Sequence, residues 1–333
     1  MKKNIFITVI LSICLLSGCG LKSAPGSNIS NVKYEELSAF DQYCLPQNNE
    51  YWYRTDGKLI YSISKSNQSK KVLYQAEDEN FIDDVITATD EKIYFNIFET
   101  ENRNQDNYYT ASFNFCSVDK NGGDFTVLLT KPSAFFKGYE TIADIKVYND
   151  LYVIIKTNGR STYLHKIDTS ETKPIDDRVG SCEIHNQKIY YQQDGSIYVI
   201  DLDMKNKKVL VKGNFDGSHS EKNNNMVDTF VFVNDKIFFY QYNPEGIYQY
   251  NNGKKKLIKT SSFIIDEFIC SFEGKLYFAE VKDNTGKIIS YDPDDKTFNE
   301  ILTINNFVSG VWNIKDGYFY YYYDSESFKQ IKI

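Results

Sequence analysis

An all-β fold built by repetition is what this 333-residue sequence predicts, on three observations. A polar turn followed by an apolar residue and one or two aromatics recurs seven times. The recurrences lie 42, 58, 38, 48, 39 and 42 residues apart, close to the roughly 40–50-residue period of four-stranded β-propeller blades. Aromatic residues make up 16% of the chain, with 27 Tyr and 23 Phe, and such side chains suit the half-buried surface of a strand.

The seven anchors are Tyr51-Trp52-Tyr53, Ile93-Tyr94-Phe95, Leu151-Tyr152-Val153, Ile189-Tyr190-Tyr191, Ile237-Phe238-Phe239, Leu276-Tyr277-Phe278 and Tyr318-Phe319-Tyr320. Each falls on the second strand, B, of a four-strand unit A to D. Repeat four parses most cleanly: strand A over Val179 to Ile184, B over Lys188 to Gln192, C over Ser196 to Leu202 and D over Lys207 to Val211. Asp194-Gly195 is its B–C hairpin turn, because glycine takes positive φ at no steric cost. Repeat six parses alike, with strands over Asp266 to Ser271, Lys275 to Val281, Lys287 to Tyr291 and Phe298 to Leu302, and a turn at Thr285-Gly286. Asp292-Pro293-Asp294-Asp295 reads as its C–D turn. Seven anchors predict seven blades. The last repeat reaches Ile333 after three strands, leaving an open edge that needs covering. Val32 to Leu37 precedes the first A strand and is expected to close the propeller there as an N-terminal strand. Residues 32–333 are then one domain.

The first 20 residues have a different logic. Lys2 and Lys3 precede a 12-residue apolar run, Ile5 to Leu16, and then small residues, the order of a secretory signal. As a helix that run rises about 18 Å, short of the ~30 Å hydrocarbon core. Leu16-Ser17-Gly18-Cys19 resembles the bacterial lipobox. That resemblance implies cleavage after residue 18, acylation of Cys19 and attachment to the outer face of the cytoplasmic membrane. Two or three acyl chains, at roughly 0.8 kcal/mol per buried methylene, make a durable anchor. Residues 20–31, GLKSAPGSNISN, are small and polar, so 19–31 reads as a lipidated flexible tether.

The formal net charge of the whole chain is −7, and losing Lys2 and Lys3 makes the mature part more acidic. This argues against a nucleic-acid partner. Cys44, Cys116, Cys182 and Cys270 remain outside the leader. They fall in different repeats without metal-ligand spacing, so buried free thiols are expected, with no metal and no cofactor.

The unit NQKIYYQQDGSIYVIDL at 186–202 resembles bacterial extracellular propellers of unknown function related to the lipoprotein-receptor YWTD type. Tyr51-Trp52 comes nearest to YWTD itself. The resemblance spans about residues 40–333 and implies a propeller with binding-module character. It carries over no catalytic residue, and that type usually has six blades where seven are read here.

Chemistry-bearing residues are sparse. His165 falls on a C strand, His185 in an A–B turn and His219 in a polar loop, which composes no acid–base–nucleophile set. Asp83-Asp84, Asp176-Asp177 and Asp294-Asp295 could suggest Ca²⁺ or glycosidase carboxylates, but read better as soluble turns. Tyr320 to Tyr323 reads as core packing rather than a stacking platform. One pattern points to recognition. Glu99 to Asn107 (B–C), Thr130 to Glu140 and Lys212 to Asn225 (both D–A) are the longest insertions, and strand order assigns them to one face. Tyr108, Tyr109, Phe135, Phe136 and Tyr139 lie in or beside two of them, a candidate surface for a protein or glycan. The reading is a monomeric, lipid-anchored, non-enzymatic binding module. The rivals are a glycan hydrolase or lyase working through funnel carboxylates, and a scaffold in an export or sensory assembly.

Overall fold

The computed structural model describes residues 37–77, 80–104, 107–132, 142–149, 151–157, 161–169, 171–215, 225–260, 264–307, 311–315, 317–322 and 328–333. The chain divides into two compact units, residues 1–174 and 175–333.

The first unit opens with a short helix, α1 (Ala39–Cys44). Ser38 caps it through a reciprocal box with Asp41, and Leu45, which precedes Pro46, ends it in extended conformation as residues before proline favour. Three sheets follow. The first holds β1 (Tyr51–Thr55), β2 (Leu59–Ser64) and β3 (Lys70–Gln75). The second holds β4 (Phe81–Ala88), β5 (Lys92–Asn104), β6 (Asn107–Asp119) and β7 (Thr126–Pro132). The third holds β8 (Ile142–Tyr148), β9 (Tyr152–Thr157), β10 (Ser161–Lys166) and β11 (Glu171–Asp177), whose last three residues, Asp176 among them, belong to the second unit. The second unit holds four sheets: β12 (Val179–His185) to β15 (Lys208–Val211) through β13 (Lys188–Gln193) and β14 (Ser196–Asp201); β16 (Met226–Val233) to β19 (Lys254–Thr260) through β17 (Lys236–Tyr242) and β18 (Gly246–Asn251); β20 (Ile264–Phe272) to β23 (Thr297–Asn305) through β21 (Lys275–Lys282) and β22 (Thr285–Asp292); and β24 (Val311–Lys315), β25 (Tyr318–Tyr322), β26 (Lys329–Lys332). Each sheet is an antiparallel meander in chain order, and the seven anchors fall on the strands expected, apart from Leu151 in the turn just before β9.

The anchors matter because of what they fill. Tyr53, Phe95, Val153, Tyr191, Phe239 and Phe278, the third residues of six anchors, are completely buried. Tyr53 and Phe95 share a cluster in the first unit, and Phe239 joins Ile197 and Val211 of the preceding sheet in the second. Burial of such a side chain contributes roughly 1.5–3 kcal/mol.

A second repeat shows in the register. On the C strands Ile60, Ile197, Ile247 and Ile288 are fully enclosed. The C–D ladder slips immediately after each, between Ile60 and Tyr61, Ile197 and Tyr198, Ile247 and Tyr248, and Ile288 and Ile289. A bulge there increases the local twist of the outer strand. That strand is the free edge, and lysine and proline blunt such edges: β7 ends at Pro132, β11 contains Lys173-Pro174 and β19 opens with Lys254-Lys255-Lys256.

Two expectations are corrected, and a third falls largely outside the described residues. In place of a first A strand the chain forms α1 and a single bridge, Gln47 to Trp52, because the Ser38–Asp41 box and Pro46 favour a capped turn of helix. Residues 32–36 of the expected closing strand lie outside the described residues. Leu37 is not in a ladder but is buried on the face of the first sheet with Trp52, Tyr61 and Ile63. The repeat-six turn is Asp283-Asn284, with φ 49 and 59, since Asp and Asn tolerate the left-handed region. Gly286 instead sits within β22, where an added Cβ would lie 2.5 Å from the Phe307 ring.

Candidate functional site

The insertion expected as a loop at Glu99 to Asn107 is strand. The hairpin β5–β6 stays paired to Asn104↔Asn107 and includes Glu101↔Tyr109. Its neighbours stop earlier: β4 is last paired at Phe81↔Phe98 and β7 at Ser112↔Pro132. Among the described residues, the hairpin beyond Glu99 and Ser112 therefore pairs only within itself, as a two-stranded ribbon that runs past the described partners in its own sheet. Cross-strand pairs along it, Thr100↔Thr110 and Glu101↔Tyr109 among them, are the units that stabilise such a ladder. Tyr108 and Tyr109 lie on this ribbon rather than in a loop. The D–A connection departs beside its root, because Pro132 pairs with Ser112. Phe135, Phe136 and Tyr139 of that connection lie outside the described residues.

In the second unit the connection after β15 is pinned at both described ends. The Gly213 N–H donates to Ser196 Oγ at 3.0 Å, and the Asn225 N–H to the Asn243 carbonyl at 2.9 Å. The Val227 N–H reaches the Gly195 carbonyl at 2.8 Å. The connection therefore rests on the B–C turns of two sheets. Gly195, with φ 75 beside Asp194 at φ 45, forms the expected hairpin turn.

Lysines laid along the sheet faces account for much of the internal electrostatics. Lys70, Lys207 and Lys255 lie over Tyr61, Tyr198 and Tyr248 at 3.3, 4.6 and 5.0 Å from the ring centres, the C-strand tyrosines that follow the enclosed isoleucines. Tyr198 and Tyr248 in turn stack on the anchor residues Tyr191 and Phe239. Lys207 also pairs with Asp176 at 2.5 Å, and the Tyr191 hydroxyl donates to the same carboxylate at 3.2 Å. Lys255 bonds Gln241 Oε1 at 2.7 Å and Asn225 Oδ1 at 3.2 Å, and burial lowers its pKa.

Burial alone would raise the Asp176 pKa, but Lys207, Gln193 and the Asp177 N–H outweigh it and hold the carboxyl below its usual range. Burial pushes the Tyr191 phenol up to about 12 despite the Lys207 charge. A depressed carboxylate contributes stability above its unfolded pKa and loses it as pH falls through the folded value. A raised phenol contributes below its unfolded value and loses it as pH rises. The melting temperature is thus expected to decline below the carboxylate range and again between pH 10.0 and about 12. In Lys207→Met burial is no longer outweighed by the lysine, so the Asp176 contribution to the acid decline should shrink or vanish. Superimposable acid limbs for the two proteins would show that Lys207 does not set the Asp176 titration.

The remaining candidates are structural. His165 is buried on β10, its Nδ1 3.0 Å from Thr172 Oγ1. His185 stacks on Phe232 at 4.1 Å with its Nε2 3.0 Å from Asp235. His219 lies outside the described residues. Two acidic pairs expected in turns are in strands: Asp83-Asp84 in β4 at a register slip and Asp176-Asp177 in β11. Asp294-Asp295 does form the C–D turn, both N–H groups donating to Asp292 Oδ1. Tyr320 and Tyr321 are buried, as core packing predicts. None of Cys44, Cys116, Cys182 and Cys270 is in a disulfide; Cys116 and Cys182 are buried and Cys44 and Cys270 partly so. Burial pushes the Cys270 thiol up to about 12, which disfavours the thiolate. Among the described residues no cluster of three or more His, Cys, Asp or Glu could hold a metal. The C-strand Ile-Tyr pairs are missing from the sequence-based expectations; their recurrence at 60–61, 197–198 and 247–248 is the signal that could have found them.

No protein family and no curated protein matches the sequence. Among solved structures the chain is similar to Porphyromonas gingivalis dipeptidyl peptidase 4, at 9% identity over 83% of this chain and 49% of that one, with a TM-score of 0.54. The chain thus spans about half the length of that peptidase. It is also similar to a nidogen/laminin complex, at 11% identity over 77% and 94% of the two chains with a TM-score of 0.40. A mitotic checkpoint complex matches at 9% identity over 92% and 99%, with a TM-score of 0.48. Repeated four-stranded antiparallel meanders define the class: this is a β-propeller protein. At these identities the likeness reaches the fold alone.

Proposed function

We infer that the chain is a lipoprotein, acylated at Cys19 and held outside the cytoplasmic membrane, whose propeller binds a protein or envelope polymer without chemical turnover. The observation that carries the binding reading is the projecting ribbon at 99–112, with Tyr108 and Tyr109 on it and a second connection leaving from its root. A ribbon that outruns its sheet is not needed to close the sheet, so its length suits contact with something else. A supporting observation is electrostatic. Among the described residues every carboxylate with a displaced pKa moves downward, Asp176, Asp235 and Glu300 among them, whereas a general acid needs an upward shift. The anchoring reading rests on Lys2, Lys3, the apolar run and Leu16-Ser17-Gly18-Cys19, all outside the described residues. No described helix is long and apolar enough to cross a membrane.

Two experiments test this. Cys19→Ser should leave the precursor uncleaved and abolish fatty-acid labelling; a labelled variant ends the lipoprotein reading. Pull-down from the native envelope should recover a partner whose binding weakens by about 2 kcal/mol or more when Tyr108 and Tyr109 are both Ala, with melting unchanged. Undiminished capture removes the ribbon from the interface, and turnover of an envelope glycan by the purified chain favours the hydrolase or lyase reading.

A further inference from the structure

Three Asn-Gly pairs occur in the sequence, at 121–122, 158–159 and 252–253, and the second lies outside the described residues. We propose that Asn252 is a site of spontaneous deamidation, and that folding leaves this pair open to the reaction while protecting Asn121. The chemistry is internal and needs only water. The Gly253 backbone nitrogen gives its proton to solvent and attacks the Asn252 side-chain carbonyl carbon. A C–N bond forms, the Cγ–Nδ2 bond breaks, and the amide nitrogen takes up a proton and leaves as ammonia. Water then opens the resulting five-membered imide at either carbonyl, giving aspartate or isoaspartate.

The two described pairs differ at the attacking nitrogen. The Gly122 N–H is held by the Asp119 carbonyl at 2.8 Å, and a Cβ on Gly122 would lie 2.9 Å from the Leu73 carbonyl oxygen. That turn is bonded and walled by the neighbouring strand. Asn252 and Gly253 are the two central residues of the β18–β19 hairpin, with φ 47 and 80. Both are exposed, and nothing lies within 4 Å of where a Gly253 Cβ would be, so space exists for the ring to close. Closure requires the turn to leave its left-handed conformation, and opening at an exposed hairpin tip has a low free-energy cost. Lys254, Lys255 and Lys256 follow directly, and their positive charge favours the deprotonated amide.

The product has a structural consequence. Isoaspartate inserts an extra backbone carbon into a two-residue turn whose closing pair is Asn251↔Lys254. That register sets the edge strand β19, including Lys255 on Gln241 and the Lys259–Glu280 ion pair at 2.7 Å. Ageing at Asn252 should therefore loosen β19 first.

The test is peptide mapping by mass spectrometry, with isoaspartate labelling, after incubation of the folded protein at mildly alkaline pH. A urea-unfolded sample serves as reference for intrinsic rates. In the folded protein Asn252 is expected to convert about tenfold or more faster than Asn121, a ratio that reflects local opening; in urea the two should converge. Asn252→Gln should abolish conversion at that site and prevent the loss of melting temperature that accompanies ageing. Glutamine is tolerated in this conformation elsewhere, at Gln68 and Gln187, both with φ 60. Equal rates at Asn121 and Asn252 in the folded protein, or an Asn252 that persists while the unfolded reference converts, overturns the proposal.

Discussion

Phe239→Ala should cost roughly 3–5 kcal/mol of stability, the usual range for emptying a packed aromatic site. The third residue of its anchor, Phe239 is fully buried. It packs among Ile197, Val211, Val227, Phe230 and Ile237, and stacks on Tyr248 at 5.7 Å. Those neighbours come from two sheets, so no single side chain can relax into the void. The control is Leu257→Ser on the free edge of the same sheet, where the leucine is 42% exposed; its cost should stay within about 0.5 kcal/mol. Chemical denaturation of both variants decides the matter. Comparable losses would mean that the anchors do not organise the core.

Gly213→Ala should also destabilise the fold, although it adds a single methyl group. A Cβ there would collide with the Gly195 carbonyl oxygen and lie 2.5 Å from the Asn225 carbonyl oxygen. Both obstacles are backbone, so the connection after β15 must lift from the turns it rests on. The Gly213 bond to Ser196 Oγ would go with it. Overpacking of this kind typically costs about 1–3 kcal/mol. Gly253→Ala is the comparison, because it meets no atom within 4 Å and is disfavoured only by its φ of 80, a strain of roughly 1–2 kcal/mol. If Gly213→Ala melts no lower than Gly253→Ala, the connection is not pinned as described.

The candidate surface is partly legible in the amino-acid sequence. Length alone marks residues 99–107 as an insertion, with Tyr108 and Tyr109 beside it. Its pairing as a ribbon is not legible, because the run ETENRNQDN is polar and lacks the alternation that signals a strand. Pairing there is imposed by β5 and β6, which enter it already in register. Asp176 likewise reads as half of a soluble acidic turn. Its role depends on Lys207 and Tyr191, 31 and 15 residues away, and only strand pairing sets that proximity.

Local sequence is enough to specify the repeat, the meander order within each sheet and the residues that fill the space between sheets. These follow from alternation along a strand and from turn chemistry, both local properties written at fixed offsets. Asp194-Gly195 has to turn, and Tyr191 three residues earlier has to lie in the strand leading into it. Whatever depends on another segment's position is settled by folding instead. The folded chain replaces the first A strand by α1 and lays Leu37 on the first sheet's face, where Trp52, Tyr61 and Ile63 offer an apolar surface. It moves the repeat-six turn to Asp283-Asn284, because Phe307 occupies the space a side chain at Gly286 would need. A turn propensity assigns glycine to the bend; a ring arriving from 21 residues downstream assigns it to the strand, and steric exclusion is the stronger of the two.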